Sequence, residues 1–166
     1  MGQYIKLLEL KGVKPEQAIA KQILEHTTSL KRFIYRFEVQ CNVDGLGTWP
    51  NAQTLTRALA NVGLTLEHLE ITHQFQDDLF GLMGPFFPPR ALVFKDLVVL
   101  KSLSVTLSFL LGWRPDSTTR LADTLPGGLV RLSIENSPQM PEDCQWRAAY
   151  WGSLLREING GRPRHS

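Results

Sequence analysis

One pattern recurs from end to end of this chain and limits its fold more than any other feature. The spacing L-x-x-L-x-L, with other apolar residues admitted at its anchors, occurs five times. It stands at Ile5, Leu8 and Leu10, at Leu30, Phe33 and Tyr35, and at Leu66, Leu69 and Ile71. The last two copies are Leu100, Leu103 and Val105, then Leu129, Leu132 and Ile134. Successive copies start 25, 36, 34 and 29 residues apart. One copy means little, because leucine is common; five at repeat-like spacing mark an internal repeat.

The pattern has the two-residue period of a strand. Its fourth and sixth positions share one face, and its third, fifth and seventh share the other. The apolar face of one such unit finds no shelter within the unit, so each must stack on its neighbours. The exposed positions are then Leu7, Glu9 and Lys11; Arg32, Ile34 and Arg36; His68, Glu70 and Thr72; Ser102, Ser104 and Thr106; and Arg131, Ser133 and Glu135.

Between the strands the chain must return. Pro15 to His26 reads as a helix with Ile19, Ile23 and Leu24 as its apolar stripe. Asn51 is a predicted N-cap for a helix through about Val62, with Leu55, Leu59 and Val62 facing inward and Gly63 ending it. The third return is irregular, because Gly84-Pro85 and Pro88-Pro89 forbid one continuous helix; Phe86 and Phe87 are expected to pack locally. The fourth holds LADTLP, a short helix that Pro126 stops. The surplus length in EVQCNVDGLGTWP and FQDDLFGLMGPFFPP reads as inserted loops. Glu142 to Ile158 is predicted to be a helix covering the open end of the stack, with Trp146, Ala149, Tyr150, Leu154 and Ile158 near one side. Residues 1–158 thus form one repeat domain and 159–166 a flexible tail. Met1 stands four residues before the first anchor, so an uncapped first strand is expected to expose an apolar edge, unless something covers it or the chain is a fragment.

From Phe94 onward the chain reads FKDLVVLKSLSVTLSFLLGW and then LADTLPGGLVRLSIENS. This resembles the C-terminal repeats of fungal leucine-rich-repeat proteins, many of which carry an N-terminal F-box. The earlier pieces LLELKGVKPEQ and HTTSLKRFIYRFE resemble the preceding repeats of that type. The resemblance implies a substrate-recognition surface, delivered to a ubiquitin ligase where an F-box is present. No F-box segment occurs in these residues, so the resemblance supports the repeat fold more than it supports contact with a ligase adaptor. The asparagine common at the ninth repeat position is replaced by Val13, Glu38, Gln74, Ser108 and Ser137.

Composition excludes several other classes. A formal charge of +2 in 166 residues gives no electrostatic reason for nucleic acid or an acidic membrane. No apolar run approaches the roughly 20 residues that cross a bilayer, and MGQYIKLLEL lacks the parts of a signal peptide. Cys41 and Cys144, two distant cysteines without an export signal, point to an intracellular protein, cytoplasmic or nuclear. His68 and His73 do not fit H-E-x-x-H and lie on opposite faces of a strand, so they are read as surface histidines with no metal. No G-x-S-x-G elbow supports a hydrolase, Cys144 reads as a buried inert thiol, and the glycines of DGLGTW form no phosphate loop. Trp49, Trp113, Trp146 and Trp151 lack a basic stripe and read as core or loop anchors.

The sequence therefore predicts an α/β leucine-rich-repeat solenoid, curved, with parallel strands on the concave face and irregular helices on the convex one. Its expected function is protein–protein recognition, with Arg32, Arg36, His68, Glu70, Arg131 and Glu135 on the binding face and no catalytic residue or cofactor. The substrate-binding portion of an F-box-type adaptor is the narrower form of this expectation. A repeat fragment with no activity of its own and a small hydrolase are its rivals.

Overall fold

Five strands begin at the third position of the five sequence copies. They are β1 (Leu7–Val13), β2 (Arg32–Val39), β3 (His68–Phe75), β4 (Ser102–Thr106) and β5 (Arg131–Glu135). Helix α1 (Gln17–His26) joins β1 to β2, α2 (Ala52–Ala60) lies between β2 and β3, and the short α3 (Leu121–Thr124) precedes β5. This is a computed structural model, and it describes residues 4–13, 17–39, 50–75, 91–106, 109–110 and 121–135. Pro15, the cores of both inserted loops, Gly84 to Pro89, both cysteines, all four tryptophans, the predicted terminal helix and the tail lie outside them.

The protein is an α/β fold with one parallel sheet in the order β1-β2-β3-β4-β5. All four pairings are parallel, and their register aligns the sequence copies position by position. Leu8, Phe33, Leu69, Leu103 and Leu132 form one row, and Leu10, Tyr35, Ile71, Val105 and Ile134 another. Backbone bonds just before the strands continue the alignment: Arg32 N donates to Lys6 O, His68 N to Lys31 O, Ser102 N to Glu67 O and Arg131 N to Lys101 O.

The anchors make the core. Leu30, Leu66 and Leu100 are fully buried, as are Phe33, Ile71, Leu103 and Val105. Each such side chain contributes about 1.5–3 kcal/mol on leaving water. Along β2 the rings stack: Phe33 and Tyr35 have centroids 6.0 Å apart, Tyr35 and Phe37 5.2 Å. Burial pushes the Tyr35 hydroxyl pKa up to about 12. Leu24 of α1 and Ala52, Leu55, Ala58 and Leu59 of α2 belong to the same cluster, which sets both helices against this face. At the edge strands Leu8, Leu10, Leu132 and Ile134 are only partly buried, since each has one neighbouring strand instead of two.

Asn51 caps α2 as expected, its side-chain oxygen accepting from Thr54 N at 3.1 Å. Gly63 does not end that helix. The C-cap is Asn61 in right-handed geometry, and the chain then turns through residues 61–65 with Val62 buried. Among the described residues Gly12 is the glycine with positive φ, at +60° beside the irregularity between Lys11 and Val13. Gly63 is required for space instead: a Cβ there would stand 2.8 Å from Asp96 O. No helix among the described residues is long and apolar enough to cross a membrane.

Candidate functional site

The face of the sheet opposite the core carries the third, fifth and seventh positions of each copy, and no described helix packs on it. Arg32, Arg36, His68, Glu70, Arg131 and Glu135 are all placed there by the strand register. The first row across the sheet is Leu7, Arg32, His68, Ser102 and Arg131; the second is Glu9, Ile34, Glu70, Ser104 and Ser133. In front of them runs a row of strand-entry residues, Lys6, Lys31, Glu67, Lys101 and Val130.

Not every position on this face is exposed. Leu7 is 56% exposed, whereas Ile34 is 6% exposed, contrary to the sequence expectation. Ile34 lies between Glu9 and Glu70 in the register and between Arg32 and Arg36 along its strand, where the stems of long charged side chains cover an apolar one. Thr72 and Thr106 are also buried instead of exposed. They lie toward the strand ends, where the pairing of β3 with β4 stops at Ile71 and Val105 and the Thr106 hydroxyl comes 3.4 Å from His73 Nδ1.

His73 corrects a second expectation. His68 is exposed, but His73 is partly buried, with Phe37 stacked at 5.9 Å and Phe109 edge-on at 6.0 Å. This desolvation lowers its pKa to about 4, which keeps the ring neutral at pH 7. Among the described residues no three His, Cys, Asp or Glu side chains group as a metal site would require.

Diagonal and same-row pairs organise the charges. Arg36 Nε donates to Glu70 Oε1 at 2.5 Å, and Ser104 Oγ donates to Glu135 Oε1 at 3.2 Å. Glu67 accepts from Lys31 at 2.5 Å and from Lys101 at 2.9 Å, and these two bonds hold its carboxyl pKa at about 2. Glu9 pairs with Lys11 at 2.9 Å, which lowers its pKa as well. The alternation of the strand predicted which residues share the face. It carried no signal for these pairings, which depend on the offset between neighbouring strands.

Two depressions lie on and beside this face. One of about 440 Å³ is bordered by Arg32, Ile34, His68, Glu70, Ser102 and Arg131. A second, of about 560 Å³, lies where the chain enters the strands, between exposed Tyr4, Leu64 and Val98 and the lysines at 6, 31 and 101. Leu64 is 80% exposed, and the strand pattern gave no reason to single it out. The face offers hydrogen bonds, charge and apolar stems over five strands. Comparison with protein-family models, curated proteins and solved structures finds no match to this chain.

Proposed function

We propose that this chain is a leucine-rich-repeat module that binds a protein partner on its open sheet face and catalyses no reaction. In this reading the five units wind as a curved solenoid with the strands on the concave side. One observation carries it: equivalent positions of five sequence copies stand side by side on five parallel strands, on a face that no described helix packs against. A parallel sheet is ordinarily covered on both faces, so a polar face against which no described helix packs favours a further occupant, which this reading takes to be a protein partner. Because repeats touch mainly their neighbours, the face varies in side chains without changing the scaffold.

Presentation of a substrate to a ubiquitin ligase is the narrower form of the proposal, and it would need an F-box supplied together with these repeats. Site-specific photo-cross-linking tests the broader form. A photoreactive residue at Ser104, near the centre of the face, should capture a discrete partner in cells, whereas the same group at Lys21 on α1 should not. Equal capture at both positions, or capture at Lys21 alone, would argue that binding occurs elsewhere.

A further inference from the structure

Most charges on and beside the open face are already paired. Glu9 has Lys11, Glu70 has Arg36 and Glu135 has the Ser104 hydroxyl, while in the strand-entry row Glu67 has Lys31 and Lys101; Glu38, near the far end of β2, forms no ion pair among the described residues. Arg32 and Arg131 form no ion pair among the described residues. Both are exposed, both border the 440 Å³ depression, and both stand in one row with His68 and Ser102 between them.

We propose that this face takes an acidic protein segment in extended form, laid across the strands, with two carboxylates four residues apart held by Arg32 and Arg131. The proposal rests on the reading of the open sheet face as a recognition surface and adds the chemistry of the partner. Arg32 lies on β2 and Arg131 on β5, three strand spacings away, which is about 14 Å at ~4.8 Å per spacing. Side chains on one side of an extended segment recur every ~6.7 Å, so carboxylates four residues apart span ~13 Å. A guanidinium binds a carboxylate through two parallel hydrogen bonds, and an arginine with no ion pair among the described residues forfeits none in doing so. His68 and Ser102 offer hydrogen bonds beneath the middle of the segment, and exposed Val130 gives its apolar residues a contact beside Arg131. Two separated guanidiniums match two spaced carboxylates better than one compact phosphate.

A peptide array tests this directly with the purified chain. Ten-residue peptides in a serine–valine background would carry paired glutamates at spacings of two to six, with paired glutamines or phosphoserines as alternatives and an oligonucleotide as a further probe. The expected result is strongest binding at spacing four, weakened about tenfold by Arg32→Gln or Arg131→Gln and unchanged by Lys21→Gln. Circular dichroism of each variant should match the parent. Equal binding of glutamate and glutamine peptides, insensitivity to both arginine substitutions, or stronger capture of phosphoserine or oligonucleotide would each overturn the proposal. If photo-cross-linking from Ser104 captures a partner while the array shows no acidic preference, the acidic-segment proposal fails alone. Loss of both results removes the recognition face as well.

Discussion

Arg36 and Glu70 stand 34 residues apart in sequence and meet at 2.5 Å across β2 and β3. They are not register partners, for Arg36 is aligned with Thr72 and Glu70 with Ile34. The pair is therefore diagonal, beside the buried Ile34, and it engages Arg36 in an ion pair within the fold. Because Arg36 remains partly exposed, solvent screens the interaction, and a double-mutant cycle of Arg36→Gln and Glu70→Gln should give a coupling of about 0.5–1 kcal/mol. Urea denaturation at low and 1 M salt checks this; a coupling that does not shrink with salt would contradict the electrostatic account.

His73 should make the protein sensitive to acid. Its folded pKa of about 4 lies below the ordinary value of 6.5, because its site between Phe37 and Phe109 excludes water from the charged form. The unfolded chain therefore binds the proton first. Stability is fully present above pH 6.5 and is lost as pH falls from there to about 4, by about 3 kcal/mol. His73→Phe should flatten the denaturation midpoint over that window. A wild-type midpoint that is constant between pH 7 and 4 would show that the ring is not desolvated.

Gly63→Ala should destabilise the protein although no unusual φ is involved. The added Cβ would meet Asp96 O at 2.8 Å and Ala60 O at 3.2 Å, both backbone atoms that move only with their segments. The expected cost is about 1–3 kcal/mol. Gly127→Ala is the control, since nothing lies within 4 Å of its Cβ position. Thermal melts of the two variants separate the effects, and equal melting temperatures would refute the close approach.

Asn51→Ala removes the acceptor for Thr54 N at the start of α2. A loss of about 1 kcal/mol is expected, with Asn51→Asp close to the parent. Hydrogen exchange should localise the effect to the first turn of α2, and a global loss with aspartate as poor as alanine would point to another role for the amide.

Equivalent anchors should not be equivalent in energy. Leu103 on β4 is fully buried, whereas Leu132 on the edge strand β5 is only partly so. Leu103→Ala should cost about 2–5 kcal/mol, and Leu132→Ala distinctly less. Chemical denaturation of both variants measures the difference; identical losses would mean that the edge row is as well packed as the centre.

The sequence by itself determined the strands, their order of appearance and the side of the sheet on which each residue stands. The physical reason is the two-residue period: once Leu66, Leu69 and Ile71 are committed to the core, His68 and Glu70 must stand on the other side. The same argument puts Arg32 and Arg131 on one face, and the capping chemistry of Asn51 is equally local. Only the tertiary structure decided how deep each of these positions lies and what it touches. Ile34 is covered and Leu7 is not, though both have the same parity, because Ile34 sits on an inner strand among long charged neighbours and Leu7 on an edge. Gly63 matters because Asp96, 33 residues later, returns to within a methyl group's reach of it. Periodicity fixes a side chain's direction along its own strand; burial, pairing and free charge depend on what the neighbouring strands bring beside it.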